Sequence, residues 1–270
     1  MLDTYSAVPP VYRALLGAFL FALNQIMVRR MTDRASPLTL AVMVNLSMGV
    51  VAILLSPSEE AYEGNLLWGF IFFLSVGFLG TGLARYLAYH SSILVGVSRT
   101  STIISLSPIG AALTAIFWLG ETPGPTLWGG TGLVVLGLMI MTSERKAGAV
   151  PLAYFIFPFL AMLAFSFTPF LRKVGLQFVD APLLGIAVSN LAAVIVLLFT
   201  SRFLPQAQKF RVTFRTALAI FPAGLVALGA AINFWTSLRD GQLSVVAPLI
   251  RLTPIFVLVL SAFFLRGKEI

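Results

Sequence analysis

Nine long, continuously apolar runs succeed one another along this chain, and they constrain it more than any other feature. Their limits are Val11 to Val28, Leu38 to Leu55, Leu66 to Ala88, Ser98 to Leu119, Leu127 to Thr142, Leu152 to Leu171, Leu183 to Thr200, Thr216 to Leu238 and Leu243 to Leu265. A helix needs about 20 such residues to cross the roughly 30 Å hydrocarbon layer of a bilayer. Closed barrels are the other backbone solution in lipid, but their strands alternate polar with apolar residues, and these runs do not. The expected fold class is therefore an all-α integral membrane protein, a multi-helix bundle crossing the cell membrane many times. With 59% apolar and only 10% charged residues, a soluble domain is excluded. The net charge of +8 points to membrane topology and not to nucleic acid, because the cations cluster between the apolar runs.

Corresponding segments recur about 145 residues apart. SPLTLAVMVNL from Ser36 parallels APLLGIAVSNL from Ala181, pairing Pro37 with Pro182 and Asn45 with Asn190. SLSPIGAALTAIFWLGE from Ser105 parallels RLTPIFVLVLSAFFLRGKE from Arg251, pairing Pro108 with Pro254. Five spans separate equivalent points, an odd number, so the two copies cross the membrane in opposite senses. The chain divides into a first repeat, residues 1–146 with five spans, and a second, residues 147–270 with four. Inverted repeats of this kind are typical of secondary transporters.

From RALLGAFLFALNQIMVRR at Arg13 to LTPIFVLVLSAFFLRGKE, the chain resembles the drug/metabolite transporter superfamily, and within it the EamA-domain transporters with ten helices. The most specific part is the proline-containing fourth span followed by an aromatic residue, glycine and glutamate. The resemblance implies alternating-access transport of a small organic solute through a cavity between the repeats. It also implies a tenth span, which this sequence lacks, so that a truncated chain and a natural nine-span variant are both open, and it implies a cytoplasmic N-terminus.

The chemistry available inside the spans narrows the solute. Every acidic residue lies in a connector or at a span end, so no carboxylate is expected at membrane depth. Arg251, by contrast, sits eight residues into the last span, roughly 12 Å at ~1.5 Å per residue, and Arg85 lies in the last third of the third. Ser98, Ser101, Thr102 and Ser105 fall at i, i+3, i+4 and i+7, one helix face. The repeat sets Ser244 opposite Ser98 and Arg251 opposite Ser105. A cavity lined this way would favour a carboxylate or phosphate gripped by guanidinium. The candidate substrate-binding residues are Arg251, Ser98, Thr102, Ser105, Ser244, Asn24, Arg85, Asn233 and Trp235; Asn45 and Asn190 read as helix-packing residues.

These features predict a secondary transporter of an anionic or zwitterionic metabolite, such as an amino acid or organic acid. Its partners would be the bilayer and the solute. A flippase or transporter for a lipid-linked or nucleotide sugar would use the same arginine, and a non-transporting remnant is a reading from another class. With no cysteine, one histidine and no central carboxylate, the chain offers no enzyme constellation, metal site or cofactor motif. Arg13, Arg172, Lys173 and Arg239 fall on the N-terminal side of the membrane. Twelve cations fall on the other: Arg29, Arg30, Arg34, Arg99, Arg145, Lys146, Arg202, Lys209, Arg211, Arg215, Arg266 and Lys268. The positive-inside rule then predicts an outside N-terminus, against the family expectation.

Overall fold

Proline at a helix start and polar side chains just before it set where each span begins. Pro10, Pro37 and Pro182 occupy first helical turns, where the missing N–H costs nothing. Ser36 Oγ accepts a hydrogen bond from Thr39 N at 3.2 Å, and Asn65 Oδ1 one from Trp68 N at 3.3 Å. The computed structural model describes residues 8–58, 64–142, 150–203 and 210–264.

Their helices are α1 (Pro10–Arg29), α2 (Pro37–Leu55), α3 (Leu66–Leu94), α4 (Val97–Ile104), α5 (Ser107–Leu119), α6 (Pro125–Thr142), α7 (Ile156–Phe178), α8 (Pro182–Thr200), α9 (Phe214–Asp240), α10 (Leu243–Ile250) and α11 (Thr253–Phe264). Taking α4 with α5 and α10 with α11 as single interrupted spans, eight segments are long and apolar enough to cross a membrane. The apolar stretch Pro125–Ile140 is shorter. The expectation of an all-α membrane bundle is met. Strongly exposed apolar side chains such as Leu54, Phe117, Leu133 and Ile195 form the outer surface, while Asn45, Asn190 and Asn233 are buried. That distribution suits a lipid surround.

The halves interlock and do not sit side by side. α1 packs along α9, α2 along α8 and α9, and α3 along α7 and α8. The core centres on Trp235, 2% exposed, which meets Phe73 edge-on at 5.5 Å. The middle of α3, Val76–Ala84, is a π-helix. Its glycines let the widened turns approach α8: a side chain at Gly77 would strike the Ser189 carbonyl oxygen.

Two expected spans are broken. The run from Ser98 to Leu119 ends one helix at Ile104 and starts another at Ser107, and the run from Leu243 stops at Ile250 and resumes at Thr253. Pro108 and Pro254, which the repeat pairs, stand in the first turns of the resumed helices. Each break falls at the residue that the repeat pairs with the other, Ser105 and Arg251. Proline cannot donate to the preceding turn, so backbone groups are released there, as at solute sites in transporters.

Candidate functional site

The breaks place Arg251 and Ser105 on a central cavity. Its inner lobe, about 430 Å³, is lined by both, with Ser101, Phe165, Thr168, Arg85 and Arg172 among others. An outer lobe of about 810 Å³ adjoins it and shares Phe21, Gln25, Thr81, Arg85 and Arg172. It also takes in Asn24, Asn45, Asn190 and Trp235, and reaches Arg29, Thr32 and Pro37 at the end of the bundle where α1 gives way to α2. Among the described residues no acidic side chain lines either lobe.

Three guanidiniums thus face one space. Arg251 lies over the Phe165 ring at 5.5 Å. Arg172 lies 5.0 Å from the Phe234 ring and 5.4 Å from that of Trp235, and its Nε is buried without a hydrogen-bond partner. Aromatic faces attract a cation and hold the guanidinium plane, yet they leave its N–H groups unspent. Among the described residues the ion pairs are Arg13 with Asp240, Lys173 with Glu121, and Arg239 with Asp180 and Asp240. None involves Arg85, Arg172 or Arg251.

The structure brings Arg251, Arg85, Ser105, Asn24 and Trp235 to this cavity. Ser105 donates its hydroxyl to the Ser101 carbonyl at 2.8 Å and Asn24 donates to the Ala223 carbonyl at 2.8 Å. Thr102 is not among the lining residues of either lobe, where Ser101 takes its place. The side chain of Ser98 lies outside the described residues. Asn233 is buried inside α9 and donates to Gly229 O at 2.9 Å. Ser244 is buried at the far end of the bundle against Glu121.

Sequence reasoning missed Arg172. The apolar run ends at Leu171, which leaves Arg172 and Lys173 beyond the expected span on the N-terminal side of the membrane. In fact α7 continues to Phe178. Phe165, Thr168 and Arg172 stand at i, i+3 and i+7 on one face of α7, the signal that could have found it. Asn45 and Asn190, expected as packing residues, also line the outer lobe.

The end of the bundle where α1 begins is closed. Arg13, 1% exposed, meets Asp240 at 2.7 Å. The Glu121 carboxylate accepts from Leu243 N at 2.7 Å, Ser244 N at 2.9 Å and Ser244 Oγ at 2.6 Å. Lys173 Nζ approaches Glu121 at 3.5 Å and also donates to the Gly241 carbonyl.

A solved crystal structure of a protein shares this arrangement with a TM-score of 0.73 at 14% identity, over 97% of this chain and 88% of that one. At that identity the likeness speaks for the fold alone. No curated protein matches the sequence. Residues 10–143 match the model of the EamA-like transporter family. These residues, which hold α1 to α6, belong to the EamA-like transporter family.

Proposed function

We propose that the protein is a secondary transporter that moves a small anionic or zwitterionic organic metabolite by alternating access between two inverted repeats, residues 1–146 and 147–270. The observation that carries this reading is the cavity lined by Arg251, Arg85 and Arg172 and, among the described residues, by no carboxylate, reachable from one end of the bundle and shut at the other. Guanidinium stays protonated at any physiological pH. A buried positive cavity therefore draws in an anion and discriminates against cations by unpaired charge. Family membership supports transport as the activity.

In this reading Arg251 holds the solute's negative group at the helix break. Ser105 and the rest of that face position the remainder. Opening the closed end, by parting Arg13 from Asp240 and Glu121 from Ser244, would then expose the same site to the other side.

The test is uptake of labelled organic acids and amino acids into proteoliposomes containing the purified protein. A saturable, anion-selective flux that Arg251→Ala abolishes, with the variant still inserted, is the expected result. Unchanged solute affinity in Arg251→Ala would remove this arginine from the site.

A further inference from the structure

The anionic-solute reading leaves a charge imbalance. A monoanion seated at Arg251 would leave Arg85 and Arg172 uncompensated in the same walled space, since among the described residues none that lines it carries negative charge. Like charges held close in a poorly solvated cavity repel strongly, and the repulsion is relieved only when counter-charge of comparable size enters. Arg85 and Arg172 line both lobes, so they stand where the inner and outer spaces meet.

The outer lobe has a complementary chemistry. Asn24, Asn45 and Asn190 each donate their side-chain NH2 to a backbone carbonyl, at 2.8 Å to Ala223, 2.6 Å to Ala41 and 2.8 Å to Ile186. Only the NH2 can donate to a carbonyl, so the amide oxygens are left over, and among the described residues no hydrogen bond to them is found. Two of these residues, Asn45 and Asn190, are repeat partners from α2 and α8. An outer lobe offering amide oxygens accepts hydrogen bonds from a solute's hydroxyl, amine or amide N–H groups.

We infer that the solute is at least a dianion, its paired negative charge shared by Arg85, Arg172 and Arg251, and that its other end carries hydrogen-bond donors taken by the free amide oxygens of Asn24, Asn45 and Asn190. This rests on the anionic-solute reading and narrows it to phosphate monoesters or dicarboxylates bearing donor groups. Arg172 becomes a binding residue of equal rank with Arg251.

Trp235 supplies the readout, because it lines the outer lobe and touches Arg172. Its fluorescence, and the melting temperature of the purified chain, would be followed with sulfate, succinate, nitrate and acetate at equal ionic strength, and with Trp235→Phe as the control. Sulfate and succinate should bind at least roughly tenfold tighter than the monoanions, since each charged hydrogen-bond partner added accounts for about that factor. Arg172→Gln should erase the difference. Arg85→Gln serves the same purpose if Arg172→Gln does not fold.

Glycerol 3-phosphate should bind more tightly than propyl phosphate, and Asn190→Leu should level the two. Equal binding of sulfate and nitrate, or an unaltered preference in both arginine variants, overturns the dianion assignment while leaving an anionic solute in place. Equal binding of the two phosphate esters overturns the donor assignment. If none of these anions binds folded protein, the anionic-solute reading falls with it. The relative response to sulfate and succinate separates the phosphate-like from the dicarboxylate source.

Discussion

Glu121, at the close of the first repeat's fourth span, holds both the backbone and the hydroxyl of Ser244, the second residue of α10: Oε2 accepts from N at 2.9 Å and from Oγ at 2.6 Å. Its other oxygen takes Leu243 N at 2.7 Å. A carboxylate on the unsatisfied amides of a helix start is favourable through both hydrogen bonding and the helix dipole. Here the helix and the carboxylate come from different halves of the chain, so the contact is a clamp across the bundle. Lys173 of α7 at 3.5 Å ties a third element to it.

Replacing Glu121 by alanine strands two buried amides and the Lys173 ammonium. Hydrogen bonds to a charged group are worth about 1.5–3 kcal/mol each when their partner is removed, so the purified protein should melt several degrees lower. The closed end should also open more often. Hydrogen exchange at Leu243 and Ser244 checks both effects, and unchanged protection there would mean that the clamp is not formed in solution.

The same clamp predicts a pH dependence. Burial alone would raise the Glu121 carboxyl, but the hydrogen bonds from Ser244 and Leu243 and the charge of Lys173 outweigh it and hold it below its ordinary 4.5. The unfolded chain therefore binds this proton more readily than the folded one. The stabilisation is complete above pH 4.5 and is lost as pH falls through the lower folded value. Melting temperature measured from pH 6 downward should decline less steeply in Glu121→Gln than in the parent; parallel curves would assign the acid sensitivity elsewhere.

Close approach of α3 to α8 gives a packing prediction. An added methyl at Gly77 would meet the Ser189 carbonyl oxygen and come within 2.7 Å of the Ala192 Cβ, so backbone must shift. Overpacking of this kind typically costs about 1–3 kcal/mol. Gly77→Ala should lower the melting temperature, whereas Gly129→Ala, where a methyl meets nothing within 4 Å, should leave it unchanged.

The spans and the breaks were legible in the sequence to different degrees. Long apolar runs announce a membrane helix because lipid leaves no other solution for the backbone, so nearly every span was found within a few residues. The interruptions near Ser105 and Arg251 were signalled only by Pro108 and Pro254, which equally announce a kink. Arg172 escaped because a basic pair after an apolar run is the ordinary mark of a helix end, and nothing local reveals that Phe234 and Trp235, 62 and 63 residues further along, wait to receive it. Ser244 was drawn to the cavity by its pairing with Ser98, but its partner Glu121 is 123 residues distant, and such contacts depend on how the halves interlock.

Two of the four cations counted on the N-terminal side do not bear on orientation as connector charges. Arg13 is buried against Asp240, and Arg172 lines the cavity. Among the described residues only Lys173 and Arg239 remain there, against Arg29, Arg30, Arg34, Arg99, Arg202, Arg211 and Arg215 on the side to which the cavity opens. The positive-inside rule then predicts that the open end faces the cytoplasm. The chain has no native cysteine, so single substitutions report cleanly. A membrane-impermeant maleimide applied to intact cells should label Ser58→Cys and spare Thr32→Cys and Gln25→Cys, whereas inverted vesicles should show the opposite. Gln25 lines both lobes, so sulfate should slow its labelling but not that of Ser58→Cys. Labelling of Thr32→Cys in intact cells would turn the molecule over and place the open cavity outside.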